Sequence, residues 1–150
     1  MRIALFQPEI AGNVGAILRL GACFEVAIDL IEPMGFAWDD ARVRRAAMDY
    51  IDHVDLTRHA TFKAFRHTIG EARLVLMTTK AGQSLYEASF CADDIFLFGQ
   101  ESAGVPAQVA AICPLHLRIP IAPAVRSLNL AIAAAITISE ALRQIGGLPV

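Results

Sequence analysis

Short apolar runs alternate with stretches of helical periodicity along the whole chain, and this alternation constrains the fold more than any other feature. Ile3 to Phe6, Val26 to Ile31, Leu74 to Thr78, Ile95 to Phe98 and His116 to Ile119 read as strands. His53 to Leu56 reads as a further short strand. Between them, Asn13 to Phe24 carries Val14, Ile17, Leu18 and Ala22 at helical spacing. Asp39 is placed to cap a helix reaching Met48. Thr61 to Ile69 puts Phe62, Phe65 and Ile69 on one helical face, with Gly70 as its stop. Pro106 opens a short helix to Ile112, and Ser127 is the expected cap of a long final helix reaching Ile145. The stretch from Lys80 to Cys91 fits neither period. Apolar strands alternating with helices predict an α/β fold, a parallel sheet covered by helices on both faces. No linker or repeat divides the chain, so residues 1–150 are expected to form a single domain.

Composition narrows the function classes. Apolar residues make up 55% of the chain, which excludes intrinsic disorder, while a formal charge of −2 leaves no global positive field for holding a nucleic acid. An RNA-binding role would have to rest on a local patch, and Arg42, Arg44 and Arg45, followed by Arg58, Lys63 and Arg66, supply one. Leu128 to Ile145 is apolar but carries Asn129, Thr137, Ser139, Glu140 and Arg143. It reads as a buried helix, so no membrane association is expected. Cys23, Cys91 and Cys113 are odd in number and far apart, which suits reduced thiols in the cytoplasm. His53, His59, His67 and His116 lack ligand spacing, so no metal is expected.

In sheets of this kind ligands sit at the carboxyl ends of the strands, and three distinctive loops fall there. Pro8 to Arg19 (PEIAGNVGAILR) offers a helix N-terminus with Asn13, and Arg19 one to two turns on. Phe98 to Pro106 (FGQESAGVP) follows a strand with Gly99, Glu101 and Gly104. Ile119 to Asn129 (IPIAPAVRSLN) gathers Arg126, Ser127 and Asn129 before the last helix. Taken singly, each loop has an ordinary structural explanation: a turn, an exposed glutamate, a capped helix.

Taken together, in this order and spacing, the three loops resemble the three motifs of the SPOUT superfamily of RNA methyltransferases. Ile31 to Tyr50 (IEPMGFAWDDARVRRAAMDY) is similar to a signature of its small subfamily acting on the ribose 2′-hydroxyl of the tRNA wobble nucleotide, cytidine or a modified uridine. The resemblance implies a C-terminal trefoil knot, a homodimer, and S-adenosylmethionine as methyl donor. It implies Met77, Gly99, Ile119 and Ser127 as cofactor-lining positions, with an apolar wall of Ile119, Ile121 and Leu128 beside the adenine. Arg19, Asn13, Glu101 and Asn129 become the candidate catalytic set. Arg19 is expected first to grip phosphate and position the hydroxyl, since a guanidinium stays protonated. Glu101 is equally suited to accept backbone N–H groups. Arg42, Arg44, Arg45 and Arg126, with Trp38, would contact the tRNA anticodon loop, whose unstacked bases suit aromatic and guanidinium planes. Two positions depart from the family pattern: Ala16 stands where asparagine is usual, and Ser139 where tyrosine is usual. They keep open a knotted RNA-binding module with little catalysis, and a methyltransferase acting at another RNA position. A flavodoxin-like regulator would need a Ser/Thr-rich first loop, which PEIAGNVG is not.

Overall fold

The computed structural model describes residues 1–39, 41, 43, 45 and 50–149. Strands β1 (Arg2–Phe6), β2 (Ala27–Ile31), β3 (Leu56–His59), β4 (Leu74–Met77), β5 (Gln83–Ser84), β6 (Ile95–Phe98) and β7 (Leu115–Arg118) form one sheet in the order β3-β2-β1-β6-β4-β7-β5. Every pairing among them is parallel. Its covering helices are α1 (Ala11–Phe24), α2 (Phe62–Ile69), the single turn α3 (Ala107–Ala110) and α4 (Leu130–Ile145).

Strand alternation divides the core in two. Ile3, Leu5, Leu30, Phe96 and Phe98 pack with Val14, Ile17 and Leu18 of α1 and with Ala134, Ile138 and Leu142 of α4. Ala4, Phe6, Leu76 and Leu97 pack on the other face with Phe65 of α2 and Val109 of α3. Helices on both faces leave the central strands dry, which is why they read as unbroken apolar runs. The side chain of Phe6 meets Phe62 edge-on, with centroids 5.8 Å apart. Gly21 has no room for a side chain: a Cβ there would lie 2.7 Å from the carbonyl oxygen of Val26. Two buried carboxylates are paired: Asp29 accepts from Arg2 Nε at 2.6 Å and lies 2.7 Å from His59 Nε2, and Asp94 accepts from Arg73 Nη2 at 2.6 Å.

The local expectations hold in most places. Thr61 caps α2 by accepting from Ala64 N–H, and Gly70 ends it with φ of 57°. Asp39 Oδ1 accepts from Ala41 N–H at 2.9 Å, as a cap would. Residues 41, 43 and 45 are helical, and Val43 N–H donates to Asp39 O at 2.9 Å; residues 40, 42, 44 and 46–49 of that expected helix lie outside the described residues.

Two readings are corrected, and the stretch that fits neither period is placed. Tyr50–His53 is a 3-10 turn, and the strand is Leu56–His59, because that register pairs it with Ile28 to Ile31. The cap of α4 is Asn129, not Ser127: its Oδ1 accepts from Ala131 and Ile132 N–H at 2.9 and 3.3 Å. Lys80 to Cys91 folds as the two-residue β5 and a 3-10 turn, Leu85–Glu87, held by a reciprocal Ser84–Glu87 capping box. No helix among the described residues is long and apolar enough to cross a membrane.

Candidate active site

The carboxyl ends of β4, β6 and β7 open into a cleft of about 990 Å³. Its walls come from the Thr78–Lys80 turn, the loop 99–105, and the segment 119–129. A volume of this order suits a small organic ligand. Met77, Gly99, Ile119 and Ser127 all line it, as do Ile121 and Leu128, so the expected cofactor positions converge although they are scattered in sequence.

The loop after β6 owes its shape to glycine. Gln100 and Gly104 exchange two backbone hydrogen bonds, each 2.9 Å, and Gly104 has φ of 71°. This folds the loop back so tightly that a Cβ on Gly99 would lie 2.4 Å from the carbonyl carbon of Gly104. Glu101 is thereby aimed at the start of α1. Its Oε2 accepts from Glu9 N–H at 2.8 Å, and its Oε1 accepts from Ile10 N–H at 3.3 Å and from Asn13 Nδ2 at 3.1 Å. The Ile10 N–H is a spare donor of the α1 N-terminus, the Glu9 N–H lies just before it and Asn13 adds a side-chain donor, all satisfied by a carboxylate from another loop. Asn13 is buried, and its Oδ1 accepts from Asn129 Nδ2 at 2.9 Å. One chain of hydrogen bonds therefore joins Glu101, Asn13, Asn129 and the first turn of α4.

Sequence reasoning missed a second tie between the same loops. Glu9 accepts from the N–H and the hydroxyl of Ser102, at 2.8 and 2.7 Å. Those two bonds, the hydroxyl first, hold the Glu9 carboxyl below its ordinary pKa. Gln100 Nε2 donates to Gln7 Oε1 beneath them, and Gln7 has a left-handed φ of 49°. These partners are more than 90 residues apart in sequence, so no local pattern marks them.

The predicted cations separate. Arg126 lines the cleft. Arg19 does not: it is exposed on α1, with its guanidinium 5.1 Å from the centroid of the Tyr50 ring. Arg45 is exposed and also away from the cleft, and Arg42 and Arg44 lie outside the described residues. Ala16 and Ser139 are both exposed and neither lines the cleft.

A parallel α/β sheet with its cleft at the strand carboxyl ends, walled by apolar side chains and glycine-rich backbone, defines an open-sheet α/β protein with a small-molecule site in the usual place. The chain belongs to the SpoU rRNA Methylase family, which it matches over residues 1–139, and it is thus a methyltransferase. It is 51% identical over 148 residues to a tRNA (cytidine(34)-2'-O)-methyltransferase of Beijerinckia indica, covering 97% of this chain and 92% of that one. A solved structure described as giving insights into the 2-OH methylation of C/U34 on tRNA superposes with a TM-score of 0.92 at 41% identity, covering 97% of this chain and 96% of that one. An AdoMet-bound rRNA methyltransferase from Sinorhizobium meliloti superposes with a TM-score of 0.85 at 26% identity, covering 95% of this chain and 55% of that one.

The lining fits S-adenosylmethionine on its own chemistry. Leu76, Met77, Ile119, Ile121 and Leu128 offer an apolar slot for a purine. The backbone of the 99–105 loop offers peptide groups at close approach, and the Glu101 carboxylate lies on the same wall.

Proposed function

We propose that this protein methylates the ribose 2′-hydroxyl of nucleotide 34 in tRNA, on cytidine or carboxymethylaminomethyluridine, with S-adenosylmethionine as donor. The observation that carries the reading is the convergence of Met77, Gly99, Ile119 and Ser127 with the Glu101–Asn13–Asn129 chain in one cleft. The similarity to relatives named for that reaction sets the position.

The donor, when bound, supplies an already activated methyl carbon, so the protein's task is alignment and proton removal. Met77, Gly99, Ile119 and Ser127 hold it. Glu101 and Asn129 fix the start of α1 against the cleft wall, and Asn13 connects them. Glu101 serves as an acceptor that shapes the loops; three donors already occupy its carboxylate. Arg126 at the rim is placed for the RNA phosphate. Exposed Arg45 is assigned to further contact with the tRNA, as are Arg42 and Arg44, which lie outside the described residues; the protein acts in the cytoplasm.

Arg19 is off the cleft of its own chain, and this supports a homodimer in which Arg19 of one subunit completes the site of the other. Ile10, Leu128 and Ile132 are exposed apolar side chains, the kind of surface such a face would cover. A trefoil knot in the C-terminal part is the reading that the match to this methylase family supports; Gln144 of α4 accepts from Phe90 N–H and donates to Ala88 O, which holds that helix to the segment after β5. Ala16 and Ser139 are both off the cleft, so neither departure removes a cofactor-lining position.

The test is transfer of labelled methyl into tRNA from cells lacking the modification, with the labelled nucleotide mapped. Label on the 2′-oxygen of nucleotide 34 supports the proposal; label elsewhere overturns the substrate assignment. For the dimer, mixing Arg19→Ala chains with Gly99→Ala chains regenerates one intact composite site, and no recovery of activity counts against a shared site.

A further inference from the structure

Arg58 stands next to last in β3, and its side chain is held on two sides. Its Nε and Nη2 both donate to Glu32 Oε1, at 2.9 and 2.5 Å. One face of the guanidinium lies over the Trp38 ring, 4.8 Å from its centroid. Trp38 in turn is half-buried against the apolar cluster of α1 and β2. The order outward is core, indole, guanidinium, and the Arg58 side chain is still 42% exposed.

The position is legible from the strand register. Arg58 pairs with Leu30, Leu30 with Leu5, Leu5 with Phe98, and Phe98 with Met77. The stack therefore lies in the same row of the sheet as the floor of the cleft. Three strand spacings put it about 14 Å from Phe98. It also borders the Ile31 to Tyr50 segment, on the same carboxyl-end side as the cleft.

An arginine can meet a nucleic acid through its edge, gripping phosphate, or through its face, stacking on a base. Here Glu32 takes two edge donors and offsets the charge, so the phosphate mode is disfavoured. The indole lies against the guanidinium, and the two bonds to Glu32 hold the group in place. The side chain keeps 42% of its surface open to solvent, where a planar partner could meet it. We propose that Arg58, planted on Trp38 and locked by Glu32, is a stacking platform for an unpaired base of the RNA substrate beside the methylated nucleotide. The inference rests on the tRNA reading above. It makes Arg58 a substrate-binding residue that contributes to loop recognition and not to methyl transfer itself.

Plane and charge are separable by substitution. Arg58→Gln keeps a planar group without charge; Arg58→Lys keeps charge without a plane. With full-length tRNA, Arg58→Ala is expected to raise KM for tRNA about tenfold to a hundredfold, the range of losing one base stack, with kcat and KM for S-adenosylmethionine unchanged. Arg58→Gln should recover part of that loss and Arg58→Lys should not, and the salt dependence of binding should stay as in the wild type. In the wild type, an abasic substitution at one loop position flanking nucleotide 34 should raise KM, and the same substitution should have no effect in Arg58→Ala. Recovery by Lys instead of Gln, or an unchanged KM in all variants, overturns the platform. So does a parallel rise in KM for S-adenosylmethionine, which a merely structural strut would give. If the wild type fails to methylate tRNA at all, the substrate reading falls and this inference with it; wild-type activity with indifferent Arg58 variants overturns this inference alone.

Discussion

Asn129 donates its Nδ2–H to Asn13 Oδ1 at 2.9 Å across 116 residues of sequence, and the direction of that bond is forced from both ends. The Glu101 carboxylate can only accept, so Asn13 must turn its amide nitrogen toward it and its oxygen toward Asn129. The N–H groups of Ala131 and Ile132 can only donate, so Asn129 must keep its oxygen for them and its nitrogen for Asn13. The chain has one consistent polarity and ties the first, second and third loops together.

Asn129→Asp tests that polarity. The cap of α4 survives, since a carboxylate oxygen still accepts from the helix N–H groups. Toward Asn13 the donor becomes an acceptor; Asn13 cannot satisfy it without turning its own oxygen onto Glu101. Residue 129 is exposed, so water can solvate the new oxygen, but the buried Asn13 Oδ1 loses its donor, and an unsatisfied buried polar group costs about 1–3 kcal/mol. Thermal unfolding should show a loss of that order, and kcat/KM should fall at least tenfold. Wild-type activity in Asn129→Asp would remove the chain from the mechanism.

Gly99→Ala should damage cofactor binding more than folding. Its Cβ would lie 2.4 Å from Gly104 backbone, which must move and open the loop. Calorimetry should find affinity for S-adenosylmethionine lowered at least tenfold. Gly82→Ala is the matched control, because nothing lies within 4 Å of a Cβ there. Its effect should stay within about 0.5 kcal/mol, as for surface substitutions generally.

Arg19→Lys separates geometry from charge at the proposed shared site. A lysine keeps the positive charge and loses the planar fork. With Arg19 off the cleft of its own chain, cofactor affinity should be unchanged while kcat falls about tenfold to a hundredfold. Full activity in Arg19→Lys would refute a positioning role for the guanidinium.

Glu140 gives a prediction for acid stability. Hydrogen bonds from Arg143 first, then Gln144, lower its carboxyl from about 4.5 to about 2 in the fold. A depressed folded pKa stabilises the native state above the unfolded value, and the contribution is lost as pH falls from about 4.5 through about 2. Arg143 is largely exposed, so solvent screens the pair and the effect is small. Urea midpoints measured across that window should fall less steeply for Glu140→Gln than for the wild type. Identical slopes would mean that the pair does not hold in solution.

From sequence alone the elements are readable, and so is much of the cleft lining. Apolar runs such as Ile95 to Phe98 and helical spacing such as Val14, Ile17 and Leu18 follow from burial, which a side chain's own chemistry dictates. Gly99, Glu101 and Asn129 were legible because each sits in a short loop of unusual composition. The strand at Leu56 to His59 and the Asn129 cap were misplaced by a few residues, since pairing register and side-chain reach are settled by distant partners. Long-range packing alone sets β6 between β1 and β4, Glu9 against Ser102 and Asn13 against Asn129, and it takes Arg19 away from the cleft and lays Arg58 on Trp38. Burial is a property of the single residue and leaves a periodic trace along the chain. A hydrogen bond or a stack between residues far apart in sequence leaves none, because either partner alone looks like any other polar residue in a loop.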